Sequence, residues 1–363
     1  MKKSLLALAV LGAYAGAASA QSAVTLYGTL DLSGRYVKAD GQDRRVSMAQ
    51  DGVNSSQLGI RGVEDLGGGL RAGFTLLSGI NADSGTANGK FWNRRSTVSV
   101  FGNFGELRLG RDYIPTFWNL GIFDAFGIVG LGASVIPRQL YGGTRSDNAI
   151  GYFLPPNLGG FYGQAMVAAA ESGTTADHPA RYVGGRLGYA VGPFDVAFAA
   201  SQQRYGATTF LNGPGAACIP GICNAGGLAA GAISAQPGDE QDTWNVGGSW
   251  DFGPVKLMGY YDEDKIRTAK EKFFSISGVI PFGQAEVRLG YDTSKYTNGG
   301  FNSQVDQLKA TFQYNASKRS AIYTTVARLD NKDGTRYTSP GAVGLTTPSG
   351  KSQGIEFGLR HFF

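Results

Sequence analysis

Two histidines and two cysteines are the residues of this sequence best suited to bond-making chemistry, and their surroundings do not arm them. His178 stands beside Pro179 in a polar stretch, and His361 falls on the apolar parity of the last alternating run, near its end. A Ser-His-Asp nucleophile needs a base held in place by a third group. Nothing positions His178 in that way, so catalysis is not expected. Cys218 and Cys223 have four residues between them in a stretch rich in Gly, Pro and Ala. They could pair across that small loop in an oxidising compartment. Free thiols are one alternative; a metal site is another, weakened because no histidine lies near. The run Gly67-Gly68-Gly69-Leu70-Arg71 joins two strand-like segments where a dinucleotide site needs a strand and a helix. Gly350-Lys351-Ser352 imitates the end of a phosphate-binding loop, but Leu345 stands where that loop needs a glycine. No metal and no cofactor is expected.

The elements around these residues are strands. From Gln21 onward, apolar and polar residues alternate with period two in runs of about ten, the pattern of a sheet with one apolar and one polar face. In the first run Val24, Leu26, Leu30, Leu32 and Tyr36 share one parity, and Thr25, Thr29, Asp31, Ser33 and Arg35 the other. The spacing predicts strands over 23–37, 52–64, 69–80, 91–102, 105–111, 145–155, 161–171 and 180–191, then 194–205, 240–252, 255–265, 271–281, 285–296, 303–315, 320–331 and 351–363. Short turns alternate with longer polar connections along this series, as periplasmic turns and external loops do in an outer-membrane barrel. The reading is therefore all-β: a transmembrane 16-stranded antiparallel β-barrel, wide enough for an aqueous lumen.

The ends and the composition fit. Lys2 and Lys3, an apolar run and the triplet Ala18-Ser19-Ala20 form a secretory signal over residues 1–20, which leaves 21–363 as the barrel. The apolar run is too short to span a bilayer as a helix, and no later stretch reaches 18 apolar residues. Fifty-six glycines and 12% aromatics suit short strands and tight turns. Without Lys2 and Lys3, the 33 basic residues fall to 31 against 28 acidic, a net of +3. That balance gives no reason to expect nucleic acid. Tyr36, Trp250, Tyr260, Tyr291, Tyr314 and Phe363 are placed as interfacial girdles. Of the long connections, 112–144, 206–239 and 332–350, the first is too apolar to wave in water. It carries Phe117, Trp118, Phe123, Phe126 and Leu131, and must pack against the inner wall.

Several motifs resemble the trimeric porins of β-proteobacterial type. They are Ser22-Ala23-Val24-Thr25-Leu26-Tyr27-Gly28, the stretch Ser56-Gln57-Leu58-Gly59-Ile60-Arg61-Gly62-Val63-Glu64-Asp65-Leu66-Gly67-Gly68-Gly69-Leu70, Leu109-Gly110-Arg111, Arg145-Ser146-Asp147-Asn148-Ala149-Ile150-Gly151-Tyr152, and terminal Phe363. The resemblance runs in register over the whole chain beyond the signal. It implies a homotrimer whose third external loop folds inward as a constriction, and passive diffusion, often with anion preference. By motif it assigns the constriction's charge filter to Arg61, Arg95 and Arg145 on the wall and Asp124 on the loop. It also implies that Phe363 is read by the barrel-assembly machinery. Parity agrees on the arginines. Leu58 and Ile60 turn Arg61 inward, Val98 and Val100 turn Arg95 inward, and Ile150 and Tyr152 leave Arg145 and Asp147 inward. A lipid-facing arginine at mid-membrane would cost ~2–4 kcal/mol. Asp112 and Asp124 are the only acids between Arg111 and Arg138, so the field should lean positive.

The function expected is that of a general diffusion porin for small polar solutes and anions, weakly anion-selective, set among outer-membrane lipid and lipopolysaccharide. Two alternatives stay open: a substrate-specific channel with Phe117, Trp118, Phe123 and Phe126 as a binding track, and a surface adhesin working through the external loops.

Overall fold

In the computed structural model the described residues are 23–87, 89–138, 140, 143–169, 181–206, 209–210, 234–342 and 347–363. The expected signal peptide, His178, Cys218 and Cys223 lie outside them. The first strands are β1 (Ala23–Ala39), β2 (Arg45–Gln50), β3 (Gln57–Gly67), β4 (Leu70–Asn81), β5 (Thr86–Ala87), β6 (Arg95–Gly102) and β7 (Gly105–Tyr113). Helix α1 (Pro115–Ile122) follows, then β8 (Arg145–Phe153), β9 (Phe161–Ala169), β10 (Arg181–Val191) and β11 (Phe194–Arg204). After the small ribbon β12 (Thr209–Phe210) and β13 (Ser234–Ala235) come β14 (Glu240–Asp251), β15 (Lys256–Ile266), β16 (Ala269–Phe282) and β17 (Ala285–Asn298). The chain ends with β18 (Phe301–Asn315), β19 (Ser320–Lys332) and β20 (Lys351–Phe362).

Every pairing is antiparallel between neighbours, and β20 returns to β1 over eleven residue pairs from Thr29↔Phe362 to Ala39↔Ser352. The terminal Phe363 completes the seam, since its N–H and C=O both bond Gly28 at 3.1 Å. β2 and β3 succeed each other along β1, and β5 is a two-residue ribbon on β4. Counted so, the wall is a closed barrel of sixteen strands. Closure leaves no unpaired sheet edge, which is what lets strands cross a hydrocarbon layer.

One expected strand, 52–64, starts late, and a further strand that the alternation did not mark, β2, precedes it. β2 runs to Gln50, the chain breaks at Asp51 in the left-handed region (φ 61°), and β3 starts at Gln57. The Asp31 carboxylate holds the break by accepting N–H bonds from Gly52, Val53 and Asn54 at 3.2, 2.9 and 2.7 Å. Inside and outside are reversed relative to a soluble protein. Val24, Leu26, Val98, Ile150, Phe198 and Leu308 are exposed on the outer face, whereas Asp31, Glu271, Asp292 and Gln307 are buried on the inner one. Of the expected girdle aromatics, Tyr36, Trp250, Tyr314 and Phe363 are exposed. Tyr260 is a correction: it points inward, 2% exposed, and packs on Phe273 at 5.3 Å beneath the long loop. The even parity of β15 is its inner face, since Leu257 is exposed on the outer one.

Candidate functional site: the lumen and its inserted loop

The connection between β7 and β8 lies inside the barrel because the wall offers it seats. Phe123, Phe126 and Leu131 settle over Gly247, Gly290 and Gly354, where a Cβ would come within 2.4, 2.7 and 3.0 Å of them. Polar anchors follow the same course. Asn119 of α1 donates to Asn245 Oδ1 at 2.8 Å and to Ala197 O at 3.1 Å, and accepts from Arg186 Nε at 2.6 Å. Ala125 N donates to Ser277 Oγ at 2.9 Å, Leu131 N to Glu356 Oε1 at 3.1 Å and Leu140 N to Glu271 Oε2 at 2.8 Å. Arg138 is buried in an ion pair with both Asp262 and Asp264. Burial opposes its charge, but the two carboxylates outweigh it and raise the guanidinium pKa well above the ordinary value.

Asp124 belongs to this anchoring set. It is 6% exposed and accepts from Phe126 N at 3.1 Å, Ser134 Oγ at 2.7 Å and Lys309 Nζ at 3.5 Å. Lys309 is also paired with Asp292 at 2.7 Å, and its ammonium lies 4.7 Å from the Phe126 ring centre. The structure therefore brings Asp124 to a lysine on β18 and not to Arg61, Arg95 or Arg145. Parity could turn Lys309 inward but could not place it under a loop 185 residues earlier in the chain.

The arginines stand on the other side. Arg61 pairs with Thr25, on the inner parity of β1, and its exposed guanidinium lies 5.4 Å from the Tyr27 ring centre. Arg95 shares the inner face with Thr97 and Ser99, as expected, and its Nε donates to Asp112 at 2.6 Å. Arg108, not singled out by the sequence, joins it: it binds Asp112 and donates to Glu106 at 2.7 Å. Arg145 reaches the group by another route. A register shift at Gly110–Asp112 and a left-handed Asn148 (φ 52°) break the alternation counted from Ile150. Its guanidinium instead lies 4.4 Å from the Tyr113 ring centre and donates to that hydroxyl at 3.0 Å, while Arg95 lies 5.4 Å from the same ring. Tyr113 in turn stacks on Phe117 of α1 at 4.9 Å. Asp147 is taken up by Arg111 at 2.6 Å and by Lys90.

Among the described residues, Arg61, Arg71, Arg145, Arg186 and Arg360 have no carboxylate within ion-pair distance. The loop's Asp124, by contrast, is sealed against the wall. These guanidiniums are fixed positive charges of the lumen that no carboxylate pairs. Of the aromatics proposed as a binding track, Phe123 and Phe126 are buried under the loop and cannot line the path. Phe117 and Trp118 remain half-buried beside Tyr113.

A closed sixteen-strand wall, a polar interior and an inserted loop together define a pore, and comparison with known proteins agrees. The Gram-negative porin family profile matches residues 7–334. The chain belongs to the Gram-negative porin family. It is 37% identical, over the full length of both chains, to outer membrane porin protein 32 of Delftia acidovorans. It is 29% identical to an outer membrane porin protein of Bordetella pertussis, over 85% of this chain and 79% of that one. Among solved structures it superposes on the anion-selective porin from Comamonas acidovorans with a TM-score of 0.79 and 33% identity, covering 94% of this chain and all of the other. The porin is thus an outer-membrane channel through which small hydrophilic solutes diffuse. No helix among the described residues is long and apolar enough to cross a bilayer.

Proposed function

We propose that this porin is a general diffusion channel with a weak preference for anions, set by Arg61, Arg95 and Arg145. The observation that carries the reading is the division of charge across the lumen. Arg61 on β3 and Arg145 on β8 have no carboxylate within ion-pair distance, and Arg95 on β6 shares Asp112 with Arg108, while the loop's Asp124 is consumed in its anchors. A ring of one sign in a narrow aqueous passage raises the local concentration of the opposite sign and lowers that of its own. Asp124 acts behind the filter, holding the loop on Lys309. Solutes pass without any bond being made or broken, so the porin is not an enzyme.

Three further assignments belong to this reading. Residues 1–20 are removed on export after Ala20, and Phe363 presents the end of β20 to the barrel-assembly machinery. The porin works as a homotrimer: β6–β9 are only 8–9 residues long against 14–15 in β16–β18, and their outer face is apolar at Val98, Leu109, Ile150 and Val167. A low apolar wall of that kind is suited to burial between protomers, while lipid and lipopolysaccharide face the taller side.

Liposome swelling tests the preference directly. With solutes of matched size, a monoanion should enter faster than its neutral analogue and a monocation slower, and the differences should shrink as salt is raised. Equal rates for all three at low salt would contradict the charge reading while leaving the channel intact.

A further inference from the structure

An arginine on a polar wall is ordinarily held by a carboxylate, which also cancels its charge. Five lumenal arginines of this porin are held by aromatic rings instead. Arg61, Arg71, Arg145, Arg186 and Arg360 lie 5.4, 5.5, 4.4, 4.7 and 4.1 Å from the ring centres of Tyr27, Phe101, Tyr113, Tyr162 and Phe362. Acids that stand near some of them are engaged elsewhere. Asp65, directly opposite Arg71, accepts from Gly67 N at 2.8 Å. Asp31, directly opposite Arg360, gathers the N–H groups of Gly52, Val53 and Asn54 and the Tyr323 hydroxyl. A ring attracts a cation through its quadrupole and leaves the net charge intact.

Tyr113 is the ring of this series that meets the inserted loop. It closes β7 and stands directly opposite Arg145, the first residue of β8. Arg145 donates to the Tyr113 hydroxyl at 3.0 Å and to Thr144 Oγ1 at 2.8 Å, so neither bond brings a negative charge. The nearby acids are occupied: Asp147 by Arg111 and Lys90, and Asp112 by Arg95 and Arg108. The same ring lies 5.4 Å from Arg95 and stacks on Phe117 of α1 at 4.9 Å. One side chain therefore joins the loop to two of the filter arginines. An arginine without such contacts samples many rotamers, and ordering it costs conformational entropy. A charge spread over those rotamers acts less sharply on ions in a narrow passage than one held in place.

We propose that Tyr113 is a positioning residue of the ion filter. Its ring and hydroxyl hold Arg145 at the passage, in the place where a carboxylate would hold the side chain and neutralise it. The proposal rests on the charge reading of the arginines and adds the residue that makes one of them effective. Phe117 carries the tie on to α1, so the loop and the charged group keep one geometry.

Reversal potentials across a KCl gradient test this on Tyr113→Leu and Tyr113→Phe, each made in the parent porin and in an Arg145→Ala background. Tyr113→Leu should lower the chloride-to-potassium permeability ratio about twofold or more. Tyr113→Phe keeps the ring and loses the acceptor, so its ratio should fall between the two. In the Arg145→Ala background neither substitution should lower the ratio further, because the group they position is gone. A role confined to packing the loop would instead lower it by the same factor in both backgrounds. That result, or the parent's ratio in Tyr113→Leu, overturns the proposal and leaves the charge reading standing. An Arg145→Ala protein with the parent's ratio overturns the charge reading of Arg145 and this proposal with it. If Tyr113→Leu does not assemble, Tyr113→Phe decides on the same two criteria.

Discussion

At the scale of single residues, the proposed reading separates charges that select from charges that hold. It assigns Arg61 to the first kind. Arg61 is exposed and its one described side-chain contact is with Tyr27, an interaction worth ~0.5–1 kcal/mol at an exposed site. Arg61→Ala should therefore leave the unfolding temperature nearly unchanged while lowering the anion-to-cation permeability ratio in bilayer recordings. Lys309 belongs to the second kind. Lys309→Met leaves Asp124 and Asp292 buried without their counter-charge, and removing one partner of such a set costs ~3–5 kcal/mol. A lower midpoint in thermal unfolding, together with noisier single-channel current, is the expected outcome. The sequence shows both arginines on β3 and β6 correctly, because period two holds without interruption from Ile60 to Arg61 and from Val98 back to Arg95. It misplaces the route of Arg145, since the register shift at Gly110 and the left-handed Asn148 reset the alternation. It also leaves the partner of Asp124 unseen, since a buried pair across 185 residues leaves no local pattern.

At the scale of elements, the strands were more legible than the breaks in them. Alternation locates fifteen of the sixteen wall elements to within a few residues, but it misses β2, and the break at Asp51 that separates β2 from β3 depends on Asp31 gathering three N–H groups from Gly52, Val53 and Asn54. Tyr260 went astray for a related reason: aromatic type suggested a girdle, and only its parity and the loop above it reveal an inward packing role. The long loop was legible as a packed segment from its apolar residues, while its course is set by the inward glycines that receive it. Gly247→Val places new carbon where Phe123 now sits, 2.4 Å from the site of the added Cβ. The loop should be displaced toward the lumen, and single-channel conductance should fall while the sign of the ion preference is kept.

At the scale of the whole molecule, the barrel is taller on one side than on the other. Strands β16–β18 extend well past the ~9–11 residues needed to cross a bilayer, whereas β6–β9 barely reach that length. Protomers meeting along the low wall would bury its apolar face and leave the tall wall to lipid. Ile150→Arg puts a charge on that low outer face, where Ile150 is now 51% exposed. Semi-native electrophoresis should then show the trimer band replaced by monomer, whereas a charge at Leu308 on the tall wall should weaken folding without that specific loss.

The central claim is that the surplus of arginine charge on one side of the lumen gives the porin its ion preference. The reversal potential in planar bilayers across a KCl gradient, measured on the porin and on an Arg61→Ala, Arg95→Ala, Arg145→Ala variant, tests it most directly. Chloride-selective current that collapses toward equal permeability in the variant is the predicted result. An unchanged reversal potential in a conducting variant would contradict it and leave the three arginines as structural residues of the wall.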